Sequence, residues 1–429
     1  MAKKILYSYF KELRGLGYEA VEWIVSGAIT GVSVGILMIA FRIALVKLSA
    51  FSEPAFDNIY LTLLLPTLSL FCAGLIISKV PVVGGRGVNF IIKSILHHKM
   101  IKIVALPFKF IATLLTLCFG GSGGREGPAL QMATYVGDKI SQFIKFKTIR
   151  REYIVISAIS ASFGAMFHAP IAGAVFGCEV LMLRGIKYNP LLTCMFSSLF
   201  AYLTSWFFVP EPLLKIPPEL LHYDINVSHV PLFVLFGLLI GIVGPIYISG
   251  FRLFQNTFNK IKIKIYYKTA IGGLLTGITV WLVHIYTNGE YPVQGMSINT
   301  LENLLRNSFK IPIAFLLVVM IGKMIATNFT VGSGASGGLV MPTLFFGACF
   351  GILFGRIVGF DALVFGAAGM LGFFGAVTHV PVAMTFLAAE LFHSSFLLPV
   401  AIVSLIGSWI LSFRSLYSAV EMSGIKRHK

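Results

Sequence analysis

One carboxylate stands in a setting where its chemistry would act on an ion. Glu126 belongs to a glycine-rich segment, residues 120–128, that lies between two long apolar runs. An ionised carboxylate is costly inside a membrane, so such residues usually mark the path of an ion or a proton. We predict that Glu126 is a gate that imitates an anion when ionised and withdraws when protonated. A structural pairing of Glu126 with Arg125 is the alternative.

Three glycine-rich segments offer binding groups for such an anion. They span residues 84–87, 120–128 and 332–342, and an apolar run follows each of them. A helix that begins inside the membrane presents free backbone N–H groups and a partial positive charge. The segments therefore predict an anion site at helix N-termini, with membrane kinks or packing points as the alternative. The residues that support this interpretation are Gly124, Arg125, Pro128, Gly338 and Pro342.

The same glycines form two serine motifs that would permit a different chemistry. Ser122 and Ser336 each stand in a Gly-x-Ser-x-Gly pattern, and the second is similar to a segment of rhomboid-type intramembrane proteases. His379 lies downstream and would be the base. Such a protease needs one serine–histidine pair, whereas here both elements recur, with His168 in the place equivalent to His379. A protease is therefore a remote alternative, and we expect the chain not to be an enzyme.

The composition indicates a protein embedded in a membrane. Of the 429 residues, 57% are hydrophobic and only 12% are charged, about half of the roughly 25% that soluble domains carry. Apolar runs long enough to cross a hydrocarbon core of about 30 Å recur along the chain. We predict an all-α polytopic membrane protein with tilted, broken and re-entrant helices. The five cysteines stand singly, so neither a metal site nor a disulfide framework is expected, and we expect no cofactor.

The net charge of +17 would suggest a nucleic-acid partner in a soluble protein, but here its distribution fits a membrane. Basic residues collect near the N-terminus and at 93–103, 139–151, 184–187 and 260–268, whereas the connections between them are acidic or neutral. Basic loops face the cytoplasm. We therefore predict a cytoplasmic N-terminus and no nucleic-acid binding. The compactness of the chain suggests a prokaryotic plasma membrane as the location.

The chain repeats itself. Phe163–Ala172 and Phe374–Ala383 share six of ten residues in register, and Glu179 and Glu390 follow them at the same spacing of 211 residues. The second and third glycine-rich segments match at an offset of 214. Duplicated membrane halves with inverted topology are common in transporters, which bind substrate at the interface of the halves. We predict one domain, 1–429, with repeat 1 at about 20–210, repeat 2 at about 229–411 and a C-terminal segment at 412–429.

Four segments follow one another in an order that is found in one family. They are Gly124-Arg-Glu-Gly-Pro128, His168-Ala-Pro-Ile-Ala-Gly173 continued to Glu179, Gly338-Leu-Val-Met-Pro342 and Leu416-Tyr-Ser418. In this order they resemble the gating-glutamate motif, the following helix, the second filter segment and the conserved tyrosine segment of the CLC family of chloride channels and proton/chloride antiporters. The resemblance covers nearly the whole chain and implies the CLC fold of two inverted repeats.

The resemblance also implies roles for particular residues. Glu126 becomes the external gate, and the Tyr417 hydroxyl becomes a central anion ligand. The other implied ligands are backbone amides, those of Glu126, Gly127, Leu339 and Val340. The family further implies chloride or a similar small anion as the substrate, with protons as possible partners, and a homodimer with one pore per subunit. Only 12 residues follow Tyr417, so we expect no cytoplasmic CBS domains.

The chain departs from the family at the residues that set selectivity and coupling. The first filter segment has Arg86 where the family has serine and Asn89 where it has proline, and Val340 replaces a phenylalanine of the second segment. If Arg86 points inward, it adds a full positive charge to the anion site. Val180 occupies the position at which antiporters carry an internal proton-transferring glutamate, and valine carries no proton. We predict voltage- or pH-gated, channel-like chloride conduction; the alternative is a chloride/proton antiporter that uses Glu126 without the internal glutamate.

Overall fold

The computed structural model of the chain describes residues 2–96, 100–144, 149–183, 185–212, 214–221 and 227–421. Parts of the predicted basic loops, namely Lys99, Lys145, Lys147 and Arg184, lie outside the described residues, as do residues 422–429 of the C-terminal segment.

The described residues form an all-helical fold. Seventeen α-helices follow one another: α1 Ala2–Ser52, α2 Ile59–Lys79, α3 Val88–Leu96, α4 Ala105–Cys118, α5 Glu126–Phe143, α6 Arg151–Phe167, α7 Pro170–Glu179, α8 Leu191–Phe208, α9 Pro218–Leu221, α10 Val230–Lys260, α11 Ile265–Tyr286, α12 Ile298–Arg306, α13 Ile313–Gly332, α14 Val340–Ile357, α15 Ala362–Thr378, α16 Pro381–Leu391 and α17 Leu397–Leu411. A short helical turn at 418–421 follows the segment that carries Tyr417.

Eight helical segments in the described part are long and apolar enough to cross a membrane. Three shorter apolar helices, α4, α15 and α16, stand between them. Helices are the expected form because a backbone polar group in lipid must find its hydrogen bond within its own segment or within the protein. The most buried of the eight is α14, with 83% of its window inside the protein. It therefore lies in the protein interior, where a helix can begin without exposing its free amides to lipid.

Helices in the two halves correspond closely in length and position. Helices α5 and α14 each have 18 residues and begin 214 residues apart, and α6 and α15 each have 17 residues and begin 211 apart. Helices α3 and α12 have nine residues each and begin 210 apart. The fold is the predicted one, with short helices that begin and end inside it. The outer boundaries of the two repeats stay predictions.

The repeat-related histidines lie at helix ends. His168 follows α6 and His379 follows α15, with left-handed φ angles of 55° and 58°. A left-handed residue ends a helix because its backbone leaves the helical path. Pro170 and Pro381 then occupy the first positions of α7 and α16, where proline fits because its missing N–H would have no helical partner. Each half thus makes the same sharp turn.

Two glutamates tie the halves together at these turns. The Glu179 carboxylate, at the end of α7, accepts hydrogen bonds from Val382 N at 3.1 Å and Ala383 N at 2.7 Å. Glu390, near the end of α16, accepts from Ile171 N at 2.9 Å and Ala172 N at 2.8 Å. Each carboxylate therefore caps the N-terminus of the other short helix, where negative charge is stabilised.

We expect Glu179→Gln and Glu390→Gln each to lower the free energy of unfolding by roughly 1–2 kcal/mol, because each removes the charge that stabilises a helix N-terminus. Thermal unfolding in detergent measures the effect. The exposed Glu290 provides the control, since Glu290→Gln should leave the midpoint unchanged. Equal midpoints for all three variants would contradict the capping role.

Candidate functional site

The N-termini of α5 and α14 meet through one pair of glycines. Gly124 N donates to Gly338 O at 2.8 Å, and Gly338 N donates to Gly124 O at 2.6 Å. A Cβ on Gly338 would lie 2.8 Å from Gly127 N and 3.0 Å from Gly124 O. Only glycine permits this approach of backbone to backbone. The pair holds the positive ends of two helices together in the protein interior.

Glu126 is the first residue of α5, and its side chain is 1% exposed. Its carboxylate lies beside the backbone amides of Arg125, Glu126 and Met341. Neither carboxylate oxygen accepts a well-aligned hydrogen bond from the residues that the structure describes. The carboxylate therefore occupies the electropositive space between the two helix N-termini without being locked there by directed bonds. A free anion would be attracted to the same place.

The predicted amide ligands belong to the two helix N-termini. Glu126 and Gly127 lie in the first turn of α5, whereas Leu339 immediately precedes α14 and Val340 begins it. These residues are buried, as is the motif residue Pro128. Motif residues Gly338 and Pro342 position the α14 end in the same way as Gly124 and Pro128 position that of α5. The amide of Met341 also faces Glu126. It was not among the predicted ligands, although Met341 follows the predicted ligand Val340 in the same motif.

Two buried lysines, one in each half, hold a turn of the backbone in place. Lys109 Nζ donates to Val83 O at 2.9 Å and Gly85 O at 3.1 Å. Lys323 Nζ donates to Gly295 O at 2.7 Å and to Ser297 Oγ at 2.9 Å. The pattern Lys-x-Ile-Ala-Thr at 109–113 and again at 323–327 marks these lysines as a repeat-related pair but does not give their role. Their partners are neutral oxygens, which stabilise an ammonium group without cancelling its positive charge.

Arg86 points into the protein. Its Nη1 donates to Leu416 O at 2.6 Å and its Nη2 to Gln255 Oε1 at 2.7 Å. The guanidinium also lies 4.3 Å from the ring centroid of Phe251. Arg86 is only 7% exposed, so its guanidinium group points inward. Its partners on α10 were not predicted from the sequence.

Tyr417 lies within electrostatic reach of both Arg86 and Glu126. It is 1% exposed, and its buried hydroxyl has no hydrogen-bond partner among the described residues. A buried hydroxyl without a partner is unfavourable. Tyr417 thus lies close enough to the predicted gate and to the predicted cation for their charges to act on it, and the roles of the three side chains stay predictions.

The segment that carries Tyr417 is fixed on both sides. Asn89 Nδ2 donates to Ser418 Oγ at 3.2 Å, and Asn89 Oδ1 accepts from Ala419 N at 3.3 Å. From α10, Arg252 forms an ion pair with Glu421 at 2.5 Å. Asn89, which replaces the proline of the family motif, therefore joins α3 to the C-terminal segment. Neither this role of Asn89 nor the Arg252–Glu421 pair could be deduced from spacing along the chain.

The structure also places the remaining candidate residues. Val180, 2% exposed, directly follows α7. Ser122 Oγ is 3.1 Å from Thr327 Oγ1 and Ser336 Oγ is 2.8 Å from Thr113 Oγ1. His379 Nε2 instead contacts Arg414 O at 2.9 Å. In the described part of the chain, each motif serine is therefore hydrogen-bonded to a threonine of the opposite half and not to a histidine.

Comparison with known families decides which protein class carries this arrangement. The profile of the family described as "Voltage gated chloride channel" matches residues 69–412. The chain belongs to the CLC family. CLC proteins are anion channels and transporters, and this chain is accordingly a polytopic membrane protein of that family.

Relatives of this CLC chain occur in archaea and bacteria. An uncharacterised protein of Methanocaldococcus jannaschii is 27% identical over 404 residues, which cover 94% of this chain and 96% of that protein. The "Chloride/fluoride channel protein" of Pseudomonas syringae pv. tomato is 27% identical over 358 residues, 80% of this chain and 75% of that protein.

Two solved CLC structures have the same fold. The crystal structure of a CLC-type fluoride/proton antiporter superposes with a TM-score of 0.82 at 23% identity, covering 94% of this chain and 98% of that one. The structure of a slow cyanobacterial Cl⁻/H⁺ antiporter gives 0.81 at 18% identity, with the same coverage. At these identities the likeness establishes the fold.

We expect Gly338→Ala to destabilise the protein by roughly 1–3 kcal/mol and to abolish anion flux, because the added methyl group forces the two helix N-termini apart. Gly250, a partly buried glycine of α10 with nothing within 4 Å of its Cβ position, is the control. Gly250→Ala should keep flux and raise stability slightly, since alanine favours a helix. Thermal unfolding and chloride efflux from proteoliposomes measure both effects; retained flux in Gly338→Ala would contradict the proposed contact.

Proposed function

We propose that this CLC protein exchanges chloride for protons across a membrane, with Glu126 as the gate. The observation that carries the proposal is the Glu126 carboxylate, buried between two helix N-termini without a directed hydrogen bond. In this place the carboxylate competes with chloride for the amides of Glu126, Gly127, Leu339 and Val340. Protonation removes its negative charge and its attraction to the helix ends, so the side chain leaves and chloride enters.

This competition couples the two ions. A proton must reach Glu126 before the anion can take its place, and the returning carboxylate must release that proton. Glu126 and Tyr417 are each only 1% exposed, so the site is closed to solvent. A closed site suits exchange, in which the anion and the proton use the same position in turn. The antiporters that share the fold support the same mechanism.

Val180 favours a second candidate function, channel-like conduction. Antiporters of this family generally place a carboxylate there, and a buried valine transfers no proton. In the exchange mechanism, protons would have to reach Glu126 by another route, such as a chain of water molecules. The two candidates make opposite predictions for proton movement, and that difference is the basis of the test below.

Arg86 and Tyr417 supply the inner part of the anion site. The Tyr417 hydroxyl has a free proton to donate, and the Arg86 guanidinium brings a full positive charge that the family's serine lacks. Within the described part of the chain, the guanidinium donates its hydrogen bonds to neutral oxygens, those of Leu416 and Gln255, which do not cancel its charge as a carboxylate would. We therefore propose tighter anion binding and slower release than a serine would give.

The proposal also covers the setting of the protein. We place the chain in a prokaryotic plasma membrane with its N-terminus in the cytoplasm, from the loop charges. We propose a homodimer with one pathway per subunit, from the family resemblance.

The test of coupling uses proteoliposomes with an imposed chloride gradient. We expect the wild type to move protons against their gradient, whereas Glu126→Gln, which cannot gain or lose a proton, moves none and shows chloride flux independent of pH. Glu290→Gln, at an exposed position, should behave as the wild type. Chloride flux without proton movement in the wild type would favour the channel, and pH-dependent flux in Glu126→Gln would refute the gate.

For the inner site, Arg86→Ser restores the residue of the family motif. We expect chloride binding to weaken roughly tenfold, because one charged donor is lost, and the chloride, nitrate and fluoride permeation ratios to change. Arg86→Lys keeps the charge, and its chloride affinity should lie between those of the wild type and Arg86→Ser. Calorimetric titration and flux measurements check these outcomes; unchanged affinity and ratios would place Arg86 outside the anion pathway.

A further inference from the structure

Two arginines that are distant along the chain line the same small cavity beside the predicted gate. Arg42, from α1, and Arg125, immediately before α5, both line it. The cavity has a volume of about 10 Å³, which is room for one particle the size of a water molecule. The side chains of Met38, Met166 and Ser205 complete much of its wall. It lies apart from Tyr417 and Arg86, which do not line it.

Both guanidinium groups carry donors that the described residues leave unused. Arg125 is 3% exposed, and its Nε and Nη2 are buried without a hydrogen-bond partner. Arg42 Nη1 is likewise buried and unpartnered, while its Nη2 reaches only Pro212 O, at 3.4 Å. A buried charged donor without a partner is among the most unfavourable groups in a protein.

No protein anion fills this need within the described part of the chain. Glu126 acts electrostatically on Arg125, and Glu211 acts on Arg42. Neither carboxylate forms an ion pair with either arginine within 4.0 Å. Ser205 lines the cavity, but its hydroxyl already donates to Ala165 O at 3.2 Å. The groups left to bind a ligand are therefore the N–H donors of the two arginines.

We infer that Arg42 and Arg125 form a second anion site, for a single halide ion, at the approach to the Glu126 gate. The two positive charges are close enough to repel each other, and an anion between them replaces that repulsion by two attractions. A halide is a single atom that accepts hydrogen bonds without needing to donate any. A polyatomic anion such as sulfate is much larger than the cavity, whereas chloride or bromide needs only a small shift of the partly exposed Arg42 side chain. A water molecule would leave the repulsion in place.

The position of the site gives it a role in transport, and this role rests on the proposed function. Pro212 lies in the connection that follows α8, and Arg42 contacts that connection directly. Arg125 is adjacent in sequence to the gate. An anion held by both arginines therefore waits between solvent and the Glu126 position, ready to enter when the gate opens. The site raises the local anion concentration on one side of the membrane only.

Bromide detects the site directly. Crystals of the wild-type protein grown in bromide should show anomalous density between the Arg42 and Arg125 guanidinium groups, in addition to density at the gate or near Tyr417. Absence of density between the arginines at saturating bromide overturns the inference, whatever any variant does. This measurement uses the unaltered protein, so its result does not depend on whether any variant folds.

Sided flux measurements then test the role. In oriented proteoliposomes, Arg42→Gln should raise the half-saturating chloride concentration roughly tenfold on the side of the Pro212 connection, the loss expected for one charge-assisted contact. The half-saturating concentration on the other side should not change. Arg42→Lys should raise it less. Lys215→Gln, an exposed position near the same connection, removes a positive charge without touching the cavity and should have little effect.

The outcomes separate this inference from the proposed function. An equal effect of Arg42→Gln and Lys215→Gln, or an effect on both sides of the membrane, overturns the entry site. If the wild type moves chloride but binds no bromide between the arginines, the inference fails alone. If bromide binds there and the wild type moves no chloride, the site stands and the proposed function fails.

Discussion

Two helices begin in the protein interior with their positive ends held against each other, and much of the structure follows from the cost of that arrangement. The mutual hydrogen bonds of Gly124 and Gly338 fix the distance between the helix ends, and the first amides of each helix have no intrahelical partner. Such amides and two aligned dipoles attract negative charge. The Glu126 carboxylate satisfies that attraction in this structure. Under the proposed function, the gate and the binding site are two uses of one electrostatic feature.

The cations around this site have mostly neutral partners. Lys109 and Lys323 donate to backbone carbonyls, and Arg86 donates to a carbonyl and an amide oxygen. Carbonyl dipoles reduce the cost of burying a cation without cancelling its charge as a carboxylate would. The interior therefore keeps an excess of positive charge, which favours anions of any kind. Discrimination among anions must then come from the size of the site and from individual donors such as Tyr417.

The departures from the family pattern form one connected change. Arg86 contacts Leu416 O, and Asn89 contacts Ser418 and Ala419, so both substituted residues of the first filter segment hold the segment that carries Tyr417. From the other side, Arg252 and Glu421 fix the same segment to α10. The serine and proline of the family lack these long or charged side chains. The tyrosine in this chain is consequently positioned by polar contacts from α3 and α10 together.

The amino-acid sequence was enough to establish the membrane fold and the correspondence of the halves, and it predicted Glu126, Arg86 and Tyr417 as the side chains of the anion site. Hydropathy decides that the helices are buried in lipid, and the fixed spacing of rare residues, such as Pro170 and Pro381, decides that the halves correspond. The orientation of Arg86, the amide of Met341, the exchanged caps of Glu179 and Glu390, and the approach of Arg42 to Arg125 were decided only by the tertiary structure. Each depends on a contact between residues distant along the chain. Such contacts follow from helix packing, which neither periodicity nor a local motif records.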